Sequence, residues 1–302
     1  PMIYDEPFSD SSQIPTFLVS QLAKQDVKVA LSGDGGDELF CGYNRYFLTD
    51  KRSKQFNLIP TLLRKVLANG IKSININTWN KIIKLLPGTS GYTNFGHKMH
   101  KGANVLKSKN FLELYSIICS DWQNPTEVVL NSKEPATLLN EIKNEFSNLN
   151  NHQKMMMLDQ INYLPNDILV KIDRAAMTSS LETRVPLLNH KLIEYAWKIP
   201  HNLKSQNGEG KWILKQILNK YVPKDLTQKS KKGFSIPLGS WLRGPLKDWA
   251  ENLLNEKRLC QEGYFNSKLI RDKWSEHLSC KHNWENDLWN VLMFQAWIDF
   301  NN

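Results

Sequence analysis

Apolar residues recur at helical spacing over residues 14–25, and the apolar run at 27–31 that follows reads as a short buried strand. A second helix is expected to start near Gly36, so the opening has the order of an α/β unit. After it, strand signals nearly vanish. Helical periodicity predicts elements over 56–67, 78–86, 111–121, 135–147, 153–162, 191–196 and 211–220, and a last helix from Glu285 to about Phe300. In that last helix Leu288, Trp289, Leu292, Met293, Ala296 and Trp297 form an apolar stripe that reads as core. Residues 88–102 are glycine-spaced and read as a loop or weak helix, and 148–151 as a polar break. There is no internal repeat.

Between the strand and the second helix lies Ser32-Gly33-Asp34-Gly35-Gly36-Asp37-Glu38. A glycine turn that opens a helix presents unpaired backbone N–H groups and favours anions. Asp34, Asp37 and Glu38 crowd the same mouth and would repel a phosphate unless a divalent cation stood between. Taken alone, such a string is usually a solvated Asp-Gly turn. EF-hand spacing is absent, and no Gly-Lys-Ser/Thr follows to make a P-loop.

The flanks lift the motif above an ordinary turn. The whole string ALSGDGGDELFCGYNRY resembles the nucleotide-site segment of the glutamine-dependent asparagine synthetase family. Upstream, Asp5-Glu6-Pro7-Phe8-Ser9-Asp10 with Ile14-Pro15-Thr16 resembles a second family element. Residues 166–174 (NDILVKIDR) with 181–186 (LETRVP) resemble a third, and Lys229-Ser230-Lys231-Lys232-Gly233-Phe234 with Pro237 and Trp241-Leu242 a fourth. The four blocks stand in the family's order and span most of the chain, which is far more specific than one short motif.

The resemblance implies an α/β fold. A remnant of an adenine-nucleotide α-hydrolase-like (ATP pyrophosphatase) parallel sheet would fill residues 1–50, and a mainly helical remainder residues 51–302. It also implies a reaction: the side chain of aspartate attacks ATP at the α-phosphorus, giving β-aspartyl-AMP and pyrophosphate, and ammonia then displaces AMP. By resemblance Ser32, Gly33 and Gly35 lie against the nucleotide, and Asp37 binds Mg²⁺. Asp34 faces the aspartyl group and ammonia, where it would orient or deprotonate the amine, a helix N-cap being its alternative role. Lys231 is the implied cationic clamp on the phosphates, beside Gly233; without the match, the lysines around it would read as a solvated loop.

Asp167, Lys171 and Arg174, at i, i+4 and i+7, share one helix face. They either line the aspartate pocket or form an internal ion-pair lattice, and Arg184 is similarly either a substrate contact or a buried structural arginine. Asn189 stands where the family usually has Asp, and Lys229-Ser230 where it has Arg-Pro.

Two family parts are missing from the string: the Ser-Gly-Gly-x-Asp-Ser pyrophosphate loop and the N-terminal glutaminase domain with its cysteine nucleophile. The chain, which begins at Pro1, is therefore expected to be the C-terminal part of a longer protein, and alone not to make asparagine. Relatives of the fold amidate sugar acids or peptides in surface-polymer assembly, or close β-lactam rings, so the acceptor carboxylate stays open.

Charge adds a competing reading. Of 39 Lys and Arg, twelve lie between Lys51 and Asn110, where there is no Asp or Glu. Alternation with Leu62, Leu63, Val66, Leu67, Ile82, Ile83, Leu85 and Leu86 predicts amphipathic helices with a solvated basic face. The pattern favours an acidic partner surface over a nucleic acid, and a non-catalytic basic interaction module is the alternative from outside the enzymes. Four unpaired cysteines (Cys41, Cys119, Cys260, Cys280) read as free thiols of a reducing cytoplasm, and no apolar run approaches a membrane span. His277, Cys280 and His282 read as inconsequential surface residues of a polar loop, not a zinc site. Self-association stays open.

Overall fold

The computed structural model describes residues 1–85, 95–135, 148–227 and 235–301. It is mostly helical, with a two-stranded parallel sheet and a two-stranded antiparallel one.

Helix α1 (Gln13–Asp26) starts after an Asx turn, in which the backbone N–H of Ser12 donates to Asp10 Oδ1 at 2.8 Å. Extended Val27 ends it and leads into β1 (Val29–Leu31). The partner strand is β2 (Glu182–Arg184), with Val29 opposite Glu182 and Leu31 opposite Arg184. The sequence pattern did not mark β2, because Glu-Thr-Arg carries no apolar signal. Nor is β1 buried: Val29 is 45% and Leu31 76% exposed. Its one strand neighbour is β2, and the face carrying Val29 and Leu31 is open to solvent among the described residues.

A single helical turn, α2 (Gly36–Leu39), follows the glycine loop, and α3 (Asn44–Asn57) and α4 (Thr61–Ser73) come next. The helix expected over 56–67 is thus two helices. Pro60 has no N–H to continue α3 and serves as the N-cap of α4. Helices α5 (Ile76–Lys84) and α6 (Phe95–Leu106) pack with α4. Residues 95–102, expected as loop or weak helix, lie within α6; residues 88–94 of that stretch lie outside the described residues.

The faces of α4 are reversed from the expected ones. Leu62 is 79% exposed, and Leu63, Val66 and Leu67 are exposed as well. Arg64 and Ala68 turn inward, where the Arg64 guanidinium donates to the Ser108 carbonyl at 3.0 Å. Its second terminal nitrogen donates to Thr61 Oγ1 at 3.1 Å, and the Ser108 bond anchors it to the chain after α6. Of the expected apolar set near α5, Ile83 is buried, Ile82 and Leu85 are exposed, and Leu86 lies outside the described residues.

Helices α7 (Phe111–Cys119) and α8 (Pro125–Val128) precede the stretch expected as a helix over 135–147, of which 136–147 lie outside the described residues. The polar break at 148–151 is a capping box: the Asn150 side chain accepts from Gln153 N–H at 2.9 Å, and the Gln153 side chain accepts from Asn150 N–H at 3.0 Å. It opens α9 (Asn151–Leu158), which widens into a π-helical segment, Asp159–Ile168, containing Pro165, and continues as α10 (Leu169–Thr178). The ring of Pro165 cannot join an α-helical ladder, and the wider turns absorb it. Helix α1 packs along α10.

The remainder comprises α11 (His190–Lys198), α12 (His201–Lys204), the hairpin strands β3 (Ser205–Gln206) and β4 (Glu209–Gly210), α13 (Trp212–Leu218), α14 (Lys224–Thr227), α15 (Leu238–Arg243), α16 (Lys247–Leu253), α17 (Glu256–Glu262), α18 (Ser267–Leu278) and α19 (Glu285–Asn301). A large core joins α15 to α19, with Trp274, Leu242, Leu288, Trp289 and Leu292 buried in it, as the apolar stripe of the last helix predicts. His277 and His282 are buried, not surface groups of a polar loop. His277 Nε2 donates to the Gly239 carbonyl at 3.3 Å and its Nδ1 accepts from Trp284 N–H at 3.2 Å, so it is a packing histidine. Among the described residues no helix is long and apolar enough to cross a membrane.

Candidate functional site

The glycine loop is tied to the sheet at its first residue. Ser32 N–H donates to the Arg184 carbonyl at 2.8 Å, extending the β1–β2 pairing by one bond. The Ser32 hydroxyl then donates to Asp34 Oδ2, and the Asp34 N–H donates to the Ser32 oxygen at 3.3 Å. Gly35, at φ 79°, caps α2; a Cβ there would stand 2.3 Å from a Leu188 methyl. Only glycine fits this turn. Asp34 is therefore not the N-cap, and its carboxylate is held over the loop instead. Gly33 has no atom within 4 Å of where its Cβ would be, so the loop's outer side is open. Because α2 is one turn long, the dipole expected of a second helix is correspondingly small.

Asp37 lies against a residue the motifs did not mark. Its Oδ2 is 2.8 Å from Lys211 Nζ, with both groups largely buried. The pair runs across Gly42, where a Cβ would stand 2.2 Å from Asp37 Oδ1 and 2.3 Å from Lys211 Cε. Lys211 is positioned by the β3–β4 hairpin. Its own φ is 56° and its N–H donates to the Phe40 carbonyl at 2.8 Å. At the next residue after Asp37, burial pushes the Glu38 carboxyl up, while the Tyr43 hydroxyl, donating at 2.6 Å, pulls it the other way.

A second cluster joins the N-terminal motif to NDILVKIDR. Lys171 Nζ is buried and donates to Asp10 Oδ2 at 2.6 Å and to Ser12 Oγ at 2.9 Å. Burial alone would raise the Asp10 carboxyl, but the Lys171 charge and the Ser12 bonds hold it below the usual carboxylate range. Asp167 has the opposite environment: burial first, and then the Asp10 charge, push it up to about 7. Asp167, Lys171 and Arg174 thus form no lattice among themselves. Lys171 pairs with Asp10, and Arg174 forms an exposed pair with Asp5 at 3.0 Å.

Asp167 also lines a hollow of 360 Å³, with Arg45, Tyr115, Cys119, Asp159 and Tyr163 among others. The buried Asp159 carboxylate accepts from Arg45 at 2.5 Å and from the Tyr46 and Tyr115 hydroxyls. Arg45 also stacks on Tyr43 and Tyr163, at 4.4 and 4.7 Å from their ring centres. The loop and the hollow share the π-helical segment, since Gln160 Nε2 donates to the Glu38 carbonyl at 3.0 Å while Asp167 lines the hollow. Another hollow, of 380 Å³, beside Lys72, Trp122 and Lys273, contains none of the residues marked from sequence.

Lys231 and the rest of its block from 228 to 234 lie outside the described residues. Arg184 is exposed and pairs with Glu182 at 2.7 Å, so it is not a buried arginine. Asn189 caps α11 by accepting from Lys191 N–H at 3.0 Å, a role that needs no charge.

Comparison with known proteins supplies the deciding observation: the family profile described as Asparagine synthase matches residues 1–299. The chain belongs to the asparagine synthase family. Over 301 residues, 99% of the chain, it is 29% identical to Asparagine synthetase [glutamine-hydrolyzing] 1 of Bacillus subtilis (strain 168). That match covers 44% of the relative's length. A second relative, Amidase chyE of Penicillium rubens, is 25% identical over 82% of the chain and 38% of its own length. Lys211 and Asp159 were invisible to motif reading. For Lys211 a signal existed in Asn207-Gly208, a strong hairpin turn that places the following residue.

Proposed function

We propose that this chain is the synthetase part of an ATP-dependent, glutamine-hydrolysing asparagine synthetase of the cytoplasm. It would activate the aspartate side chain as β-aspartyl-AMP, releasing pyrophosphate, and pass it to ammonia. The observation that carries the reading is the Ser32–Asp37 loop: open at Gly33, with Asp34 held over it by Ser32 and Asp37 fixed against Lys211. On this reading residues 1–50 belong to a pyrophosphatase-type sheet, and the phosphates lie along Ser32, Gly33 and Gly35. The donors suit magnesium, because Asp34 and Asp37 offer hard carboxylate oxygens and a cation, the Lys211 ammonium, already sits on Asp37. Asp37 would hold the metal, which supplies neutralisation of phosphate charge. Asp34 would orient the incoming amine, Lys231 would meet the phosphates from its own loop, and the hollow lined by Arg45, Asp159 and Asp167 would take the acceptor.

The test uses the full-length natural protein, measuring pyrophosphate release with ATP, Mg²⁺, ammonium and aspartate. Release that requires aspartate supports the reading, with Asp37→Asn lowering kcat/KM by about 10²-fold or more. Release with a sugar acid or peptide carboxylate and none with aspartate would contradict it. That result would favour a second reading, an amide ligase for another acceptor, which the likeness to a relative named as an amidase keeps in play. The 302-residue chain by itself, which spans 44% of the length of its synthetase relative, is predicted to release none.

A further inference from the structure

Behind the glycine loop, three metal-ligating side chains converge that the proposed reaction does not use. Cys41 follows α2, is 0% exposed and holds a φ of 57°; His152 lies in α9, and His201 opens α12. One ligand atom from each lies within 4.8 Å of the other two. His152 Nδ1 and His201 Nε2 face each other at 2.9 Å. Their outer nitrogens, His152 Nε2 and His201 Nδ1, are buried and make no hydrogen bond among the described residues.

Two imidazoles in contact share one proton, so one ring donates and the other accepts. A hydrogen bond across this contact leaves the outer nitrogen of each ring without one, so the two rings do not satisfy each other. We infer that Cys41, His152 and His201 form a binding site for a borderline-soft transition-metal cation, with zinc(II) the expected occupant. Thiolate and imidazole are the ligands this class prefers, and three protein ligands leave a fourth tetrahedral position for water. Asp50 Oδ2, 3.9 Å from His152 Nε2, is placed to orient that ring, leaving His152 Nδ1 and His201 Nε2 to face the metal. Nitrogens bound to one tetrahedral zinc stand about 3.3 Å apart, so binding needs the rings to part by only a few tenths of an ångström. Burial pushes the Cys41 thiol up to about 12 and the Lys204 charge only partly opposes this, so the metal would bind by displacing the thiol proton.

Such a metal would clamp the chain after α2 to α9 and α12, stiffening the rear wall of the loop. The inference does not depend on which carboxylate the enzyme amidates, nor on its being active. Its test uses the metal-free chain with Cys119, Cys260 and Cys280 replaced by Ser, so that the exposed thiols are gone. Cobalt(II) is expected to bind at one per chain, with tetrahedral visible bands and a thiolate charge-transfer band, and zinc(II) to displace it and raise Tm. Cys41→Ser should abolish the charge-transfer band, and His201→Gln should weaken cobalt binding roughly 100-fold. If Cys41→Ser does not fold, the His201→Gln titration and the zinc-dependent Tm carry the decision. No stoichiometric cobalt uptake, no rise in Tm with zinc, or binding unchanged in either variant would overturn the site.

Discussion

Asp10 and Asp167 are pushed in opposite directions because burial dominates at Asp167 while Lys171 bonds directly to Asp10. Lys171 holds Asp10 ionised, whereas burial and the Asp10 charge raise Asp167 to about 7. The fold therefore binds a proton at Asp167 more tightly than the unfolded chain does. This stability is fully present below the ordinary carboxylate value and is lost as pH rises through about 7. Asp167→Asn removes that titration, so its denaturant midpoint should fall less between pH 4 and pH 7.5 than that of the parent, with the variant gaining relative stability at the upper end. Equal slopes for the two proteins would mean that Asp167 titrates normally. The sequence placed Asp167, Lys171 and Arg174 on one face but not their partners. Helical spacing says nothing about a segment that folds back from 150 and more residues away, as Asp5 and Asp10 do.

At the scale of elements, periodicity located helices well and faces poorly. The final helix and the capping box at Asn150 were legible because an aromatic stripe and a polar break are local signals. Helix α4 was misread because its basic residues are not alike: Arg64 reaches the Ser108 carbonyl and Thr61 Oγ1, and is buried there, while the leucines around it face out. Strand β2 escaped because its three polar residues pair through backbone alone. The reversed faces make a prediction. Leu62→Ser should change stability by less than about 0.5 kcal/mol. Arg64→Ala, which leaves a buried carbonyl without its donor, should cost about 1–3 kcal/mol. Chemical denaturation of both variants checks this, and a larger loss at Leu62 than at Arg64 would restore the conventional orientation.

At the scale of the whole molecule, the glycine loop, the Asp159 hollow and the Asp10–Lys171 pair are joined through one π-helical segment and its continuation α10. The loop itself was readable from sequence, because glycines at fixed offsets between a strand and a helix turn leave few conformations. Lys211 was not, since a hairpin and a left-handed backbone bring it to Asp37 from far along the chain. The match along residues 1–299 and the span of 44% of a synthetase relative give this geometry its chemical setting. The central claim is that a carboxylate oxygen of the acceptor bonds to the α-phosphorus of ATP and leaves with AMP. Turnover by the full-length protein of aspartate labelled with ¹⁸O in its side-chain carboxylate tests it, with the products read by mass spectrometry. One labelled oxygen in AMP for each asparagine formed is the predicted result, whereas label in inorganic phosphate, or none in AMP, would contradict it.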